Sequence, residues 1–325
     1  MQPQTTMREL ADWLKAHDDY VVIGHVNPDG DAIGSCMAMK LALESIGKRA
    51  VAVIPGAIPH TYHGFPRAAE ILLPDAPLPF VPRTALALDI SEKKRMGAAE
   101  TLFDACEATA MMDHHGTNPG FGDIWRIEGD SPATGQLAVR LVEQMRIPLT
   151  PDIATWLFAA ISSDTGHFRF AGTSAETMRC AALLLEAGVD VTEVTQRIWY
   201  SRTLGRTRLM AKVLDGLCIS EDGRMAWAVV DDAMFASCGA ERADTEGIVN
   251  YLLEIEGVEF ATLAEQRGEG TKFSLRSKDA LDVAREIAVP LGGGGHGKAA
   301  GCTVDMPAAQ ALDVVLAKAR QALSK

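Results

Sequence analysis

Along the first 190 positions, short apolar runs alternate with segments whose apolar residues recur at helical spacing. Residues 20–26 (YVVIGHV), 51–54, 84–90 (TALALDI) and 109–112 (TAMM) have strand length and few polar interruptions. Between and after them, 32–46 (stopped by Gly47), 133–145, 152–162 and 174–186 carry the helical pattern. Runs that are apolar at every position belong to strands covered on both faces. The alternation therefore predicts an α/β domain with a mostly parallel sheet and helices on both sides.

The pattern then changes. Residues 190–215 (DVTEVTQRIWYSRTLGRTRLMAKVLD) predict one long helix carrying Arg197, Arg202, Arg206, Arg208 and Lys212, read as a linker with a solvated basic face. Beyond it, strands at 225–230, 258–265 and 272–276 alternate with helices at 245–254 and 279–288, and an alanine-rich helix closes the chain. The expected division is a catalytic domain at 1–190, a linker helix at 191–219 and a smaller α/β domain at 220–325. No internal repeat or low-complexity tract is visible.

Composition narrows the function classes. The 325 residues, 47% apolar, suffice for two packed cores, which excludes a disordered or fibrous chain. With 31 Lys+Arg against 43 Asp+Glu the formal net charge is -12, which argues against a basic face that coats long nucleic acid. A small anionic substrate held locally stays compatible. The start of the chain, MQPQTTMREL, lacks the basic and apolar regions of an export signal, and the longest charge-free stretch, 50–66, holds three prolines. No membrane association is expected. Cys36, Cys106, Cys180, Cys218, Cys238 and Cys302 form no CxxC pair and read as thiols of a cytoplasmic protein.

The candidate chemistry collects at one edge of the expected sheet. His25 ends the first strand, Asp29 and Asp31 follow in the loop, Asp89 lies near the end of TALALDI, and Asp113, His114 and His115 follow TAMM. Ligand sites of open parallel sheets form at this carboxyl edge. Asp164, after a helix in ISSDTGHF, can join from a neighbouring loop. Asp29, Asp31, Asp89 and Asp164 offer four negative charges and His25 and His114 neutral nitrogens, a set suited to two divalent cations of the Mn²⁺ kind. Asp89, alone on its strand end, is the expected bridge between them. Each residue singly has a plainer reading as a cap, turn or core residue; their convergence on one edge favours the metal site.

Other candidates carry less. Gly292 to Gly295, before His296 and Lys298 and with Arg276 on a preceding strand, can cradle a phosphate through backbone N–H groups or can simply turn the chain. His60 and His63 lie in a loop with a spacing too common to imply a metal, and His17 is expected at the surface. His167 and Arg169, just past Asp164, can approach a substrate. The five tryptophans show no interleaving with basic residues, so a stacking track for single strands is not expected.

At these residues the sequence resembles the DHH phosphoesterase superfamily. The resemblance rests on GHVNPDGDAIGS (24–35), ALDIS (87–91), MDHHGTN (112–118) and SDTGHFRF (163–170), followed by FSLRS (273–277) and GGGGHGKAAGC (292–302). It spans nearly the whole chain and is closest to the nano-RNase/pAp phosphatase (NrnA-type, RecJ-like) branch. It implies one ion on His25, Asp29 and Asp89 and another on Asp31, Asp89, His114 and Asp164, with Mn²⁺ as the usual metal. It further implies that Asp113 orients its neighbours, and that His115 contacts the scissile phosphate and can protonate the leaving oxygen. Arg276, His296 and the backbone of Gly293, Gly294 and Gly295 would hold substrate across an interdomain cleft.

One departure stands out. Gly297 follows the glycine-run histidine where relatives commonly have a basic residue, which leaves the grip on the far phosphate open. The implied activity is hydrolysis of short oligoribonucleotides to mononucleotides and of 3'-phosphoadenosine 5'-phosphate (pAp) to AMP, without long duplex partners, a homodimer being left open. A cyclic-di-AMP or linear dinucleotide phosphodiesterase, a pyrophosphatase of the DHH type and a non-catalytic nucleotide-binding protein are the alternatives.

Overall fold

The apolar runs become the centre of a six-stranded sheet in the computed structural model, which describes residues 4–170 and 172–324. Its strands are β1 (Tyr20–Ile23), β2 (Ala50–Val53), β3 (Ile71–Leu72), β4 (Thr84–Leu88), β5 (Ala108–Asp113) and β6 (Ile124–Ile127). They are all parallel, in the order β3-β2-β1-β4-β5-β6. Two units organise the chain, Met1–Ser201 and Arg202–Lys325.

Alternation along each strand sorts side chains between two cores. Tyr20 and Val22 of β1, with Leu86, Leu88, Ala110 and Met112, pack against α1 (Met7–Ala16), α2 (Gly30–Ser45), α4 (Thr134–Gln144), α5 (Pro151–Asp164) and α6 (Ala175–Glu186). Val21, Ile23, Ala85, Ala87 and Met111 face the other way, onto Met96, Ala99 and Phe103 around α3 (Glu100–Ala105). Both faces being covered explains why the central strands carry no polar alternation. α2 is buried from Gly30 through Leu43. It packs against α5 so closely that a Cβ on Gly34 would lie 2.5 Å from the Trp156 carbonyl.

Several boundaries differ from the sequence reading. α1, α3 and the edge strands β3 and β6 were not expected, α1 although its Met7, Leu10, Ala11 and Leu14 recur at helical spacing behind a Thr6–Glu9 capping box; β6 is only partly buried along its length. The segment expected as one helix over 190–215 is two, α7 (Val191–Trp199) and α8 (Leu204–Asp215). The break has local causes: Ser201 Oγ donates to the Arg197 carbonyl, and Thr203 Oγ1 accepts from the Arg206 amide at 2.9 Å as a new N-cap.

The second unit is built on β7 (Cys218–Ile219), β8 (Met225–Val230), β9 (Phe260–Arg267), β10 (Gly270–Ser277), β11 (Gly294–His296) and β12 (Ala299–Val304), ordered β11-β12-β10-β9-β8-β7. Its pairs are antiparallel except β8 with β9. α8, α9 (Asp232–Cys238) and α10 (Ile248–Leu253) fill one face, and α11 (Ala308–Leu323) fills the other. The expected helix over 279–288 shrinks to a π-helical turn, Ala284–Ala288, because the Val283 amide is tied to the Gly297 carbonyl at 2.7 Å. All six cysteines are free thiols. Among the described residues no helix is long and apolar enough to cross a membrane.

Candidate metal centre

Strand order places the chemistry. The chain leaves β1 toward β2 and β3 on one side and returns to β4, β5 and β6 on the other, so the carboxyl ends of β1 and β4 flank a topological switch point. His25 lies two residues past β1, Asp89 immediately past β4, and Asp113 ends β5. Asp164 is the last residue of α5, not a loop residue after it. A carboxylate there opposes the helix dipole and needs positive charge nearby.

His25, Asp29 and Asp89 form one group whose candidate ligand atoms lie within 4.8 Å of one another. His25 Nε2 is 3.6 Å from Asp29 Oδ2 and 3.5 Å from Asp89 Oδ2. Asp29 is divided in function: its Oδ1 accepts from the amides of Asp31 and Ala32 as the N-cap of α2, leaving Oδ2 turned to His25. Asp31, His114 and Asp164 form a second group. His114 Nε2 is 3.3 Å from Asp164 Oδ2, 3.5 Å from Asp89 Oδ1 and 3.9 Å from Asp31 Oδ2. Asp89 thus shows one oxygen to each group. It sits at φ +59°, in the left-handed region, while its amide donates to the Met112 carbonyl at 3.1 Å.

The donor set fits divalent cations. His25 Nδ1 is 2.8 Å from the Val26 carbonyl and His114 Nδ1 is 3.1 Å from the Ser131 carbonyl. With Nδ1–H donated to these oxygens, each Nε2 keeps the lone pair a metal takes. Four carboxylates and two imidazoles without a thiolate match ions of intermediate hardness. The protonation pattern agrees. Burial disfavours charged His25, yet Asp29 and Asp89 outweigh it and push its pKa up to about 10. Burial is likewise outweighed at His114 by Asp164, Asp89 and Asp31, which hold its pKa well above normal. Burial and the charges of Asp89 and Asp164 drive Asp31 well up, and burial lifts Asp164 to about 6 against the pull of His114. At Asp29 burial loses to the His25 contact, and its pKa falls. The groups hold protons where cations would sit.

Asp113, His115 and Asn118 form the flank of this centre. His115 Nδ1–H donates to Asp113 Oδ1 at 2.8 Å, and the same oxygen accepts from the His114 amide at 2.8 Å. Asn118, which the sequence reading gave no role, donates to Asp113 Oδ2 at 2.6 Å and to the Ile90 carbonyl at 2.8 Å. Its place inside MDHHGTN was the available signal. The Thr134 and Gly135 amides, also missed, hold the two oxygens of Asp31 at 2.6 and 2.7 Å, and Thr134 Oγ1 donates to Asp89 Oδ1 at 3.1 Å. Nothing at 133–136 announces this in sequence. Arg95 Nη2, 3.2 Å from His25 Nδ1, was missed as well.

The remaining candidates have contacts of their own. In the second unit Gly294, Gly295 and His296 pair with Ala299, Ala300 and Gly301 as a hairpin, and the Gly293 amide donates to the Ala288 carbonyl at 2.8 Å. The glycine run is therefore not a free loop, and the Gly293 N–H is already bonded. Lys298 Nζ is tied to the Lys278 carbonyl at 2.5 Å. Arg276 donates to Asn250 Oδ1. His17 stacks on Trp13, and His63 Nε2 lies 3.1 Å from the Ile58 carbonyl. His167 Nδ1 is 3.0 Å from Ser162 Oγ, and Arg169 lies over the Trp199 ring.

Known proteins share this fold. The DHH family, N-terminal domain, matches residues 19–161, and the DHHA1 domain matches 229–325. The bifunctional oligoribonuclease and PAP phosphatase NrnA of Thermus thermophilus is 36% identical over 322 residues, 98% of this chain and 95% of that protein. An exopolyphosphatase-related protein of Bacteroides fragilis superposes with a TM-score of 0.89 at 27% identity, covering 98% of this chain and 95% of the other. Exonuclease RecJ bound to manganese shares the fold, with a TM-score of 0.55 at 15% identity over 98% and 96%.

Proposed function

Because the chain belongs to the DHH family, we propose that it hydrolyses phosphoesters with two divalent cations, cutting short oligoribonucleotides to mononucleotides and pAp to AMP. The observation that carries this reading is Asp89, whose two oxygens face the two ligand groups separately. His25, Asp29 and Asp89 would hold one ion, and Asp31, Asp89, His114 and Asp164 the other. Mn²⁺ is favoured by the mixed carboxylate and imidazole set. When bound, such a pair supplies charge neutralisation and nucleophile activation at phosphorus.

The chain's own residues do the rest. Asp113, fixed by Asn118 and the His114 amide, orients His115 through Nδ1, so that His115 Nε2 can meet the scissile phosphate and give a proton to the leaving oxygen. The Thr134 and Gly135 amides lock Asp31, and Thr134 Oγ1 locks Asp89, so the carboxylates need no reorganisation as charge shifts. Arg276, His296 and the backbone at Gly294 and Gly295 are assigned to the substrate's other phosphate or base. The formal charge of -12 supports short substrates over long polymers.

The test is one Mn²⁺ assay across RNA dimers to pentamers, a 24-mer, pAp, cyclic-di-AMP and pyrophosphate, repeated with Mg²⁺. Fast turnover of the dimers and pAp is expected. A 24-mer cut as fast as the dimer would refute the short-substrate assignment, and preference for cyclic-di-AMP or pyrophosphate would replace it.

A further inference from the structure

Just past the candidate ligand Asp164, three consecutive residues leave the usual backbone range: Gly166, His167 and Phe168 lie at φ +57°, +60° and +63°. The left-handed region is unfavourable for an L-residue, so His167 and Phe168 stay there only because the bonds around them demand it. The His167 amide donates to the Ser162 carbonyl at 2.7 Å, the Phe168 amide to Thr165 Oγ1 at 3.0 Å and the Arg169 amide to the Thr165 carbonyl at 3.0 Å. A strained turn tied from several sides serves to aim a side chain. Here the side chain is the His167 ring.

The proton on that ring is placed by a relay inside the first unit. Ser162 is fully buried near the end of α5, and Trp199, on α7, donates through Nε1 to its Oγ at 3.0 Å. The hydroxyl proton then needs an acceptor, and among the described residues the one within reach is His167 Nδ1, 3.0 Å away. Nδ1 therefore accepts, and Nε2 carries the hydrogen. Burial and the nearby Arg169 both lower the His167 pKa, which keeps the ring neutral at pH 7. The ring is partly exposed, and its Nε2–H makes no bond to a described residue.

A neutral, fixed donor suits an uncharged oxygen better than a phosphate, which prefers a charged partner. The position is bounded too, since three peptide links cannot separate the Cα atoms of Asp164 and His167 by more than about 11 Å. Within one nucleotide of a phosphate carried on O3', the nearest hydroxyl is the 2'-hydroxyl on the adjoining carbon. Short oligoribonucleotides and pAp both have it. We propose that His167 donates from Nε2 to the 2'-hydroxyl beside the scissile phosphate and so selects ribose over deoxyribose, with Ser162 and Trp199 as positioning residues. The inference rests on the phosphoesterase reading and deepens it.

The Mn²⁺-loaded full chain is assayed with the dinucleotides ApA and d(ApA). Wild type should have the higher kcat/KM on ApA. His167→Phe, which keeps a ring and removes the donor, should lower the ratio of ApA to d(ApA) about fivefold, the effect of losing one neutral hydrogen bond. His167→Gln, whose side-chain N–H has a similar reach, should restore part of the ratio, and Trp199→Phe should lower it by less than His167→Phe. Equal losses on both substrates, or a ratio that no variant moves, overturn the contact.

A second arm needs no turnover. The Mg²⁺-loaded full chain, labelled with ¹⁵N-histidine, is followed by NMR at pH 8, the His167 signals being those missing from His167→Gln. Nδ1 bare and Nε2 protonated is the expected tautomer, and Trp199→Phe should populate both tautomers; the reverse tautomer in wild type overturns the relay. AMP should move the Nε2 signal more than 2'-deoxyAMP does, and equal shifts, or none, overturn the ribose contact. If wild type hydrolyses neither dinucleotide, the phosphoesterase reading fails while this arm still judges His167.

Discussion

Asn118 offers the sharpest check on how the candidate centre is held. Its side chain is 9% exposed and fully satisfied: Nδ2 donates to Asp113 Oδ2 at 2.6 Å and to the Ile90 carbonyl at 2.8 Å, and Oδ1 accepts from the Gly120 amide at 2.8 Å. Asn118→Ala removes two neutral bonds worth about 1 kcal/mol each and one to a carboxylate worth about 2 kcal/mol, roughly 4 kcal/mol in all. In a unit of this size that lowers the melting midpoint by about 10 °C. Asp113 is then held only from the Oδ1 side, and His115 loses its fixed orientation. Turnover should fall about 10–100-fold, the usual effect of removing a group that orients a metal or phosphate ligand. Asn118→Asp separates packing from bonding. It keeps the shape and the Gly120 contact but sets a carboxylate against Asp113 Oδ2, so it should be as damaging at neutral pH and recover partly in acid as the two share a proton. Thermal melts and steady-state hydrolysis of pAp at saturating Mn²⁺ read both effects. Wild-type stability and turnover in Asn118→Asp at pH 8 would refute the argument.

Four other predictions follow from the same geometry. Asp89→Asn keeps an acceptor for Thr134 Oγ1 but removes the charge shared by the two groups; bound metal should fall below two ions per chain by elemental analysis and turnover should vanish, and near-normal hydrolysis in metal-replete buffer would sink the two-ion assignment. Gly135→Ala would set a Cβ 2.5 Å from Ala160 Cβ and 3.1 Å from Asp31 Oδ1, costing about 1–3 kcal/mol by overpacking and weakening metal affinity in a titration. The metal-free protein has a signed pH dependence. His25, raised from 6.5 to about 10, contributes stability that is complete below pH 6.5 and lost as pH rises through 10; Asp164, raised from 3.8 to about 6, likewise costs stability as pH climbs between those values. Melts of chelated protein should therefore fall from pH 7 to pH 10. Because His25 and His114 must give up protons to a cation, calorimetry at pH 7 in buffers of different ionisation enthalpy should show proton release on metal binding, and none would contradict the assignment.

Sequence was most informative where one local rule acts alone. Central strands buried on both faces must be apolar at every position, so β4, β5 and β8 were legible within two residues and β1 within three. The helix end marked by Gly47 was legible for the same reason, whereas α2 starts at Gly30 on the Asp29 cap, two residues before the reading placed it. The edge strands β3 and β6 were not, since a half-covered edge imposes neither a continuous nor an alternating pattern. The break between α7 and α8 was hidden because Ser201 and Thr203 act as terminators only through bonds that the period of apolar residues does not report.

The candidate ligands were legible as residue types at strand ends, because β-strand and loop lengths alone bring His25, Asp29, Asp31, Asp89 and His114 to one edge of a parallel sheet. What the tertiary structure decided is which oxygen does what. Asp29 caps a helix with one oxygen and turns the other to His25, Asp89 divides its two between the groups, and Asp31 is pinned by amides about a hundred residues away in sequence. Those roles depend on the α2 and α4 termini meeting at the switch point, a consequence of strand order and of glycines small enough to let helices touch. A sequence fixes the charges it carries, but their pairing is set by where the fold leaves each one a partner.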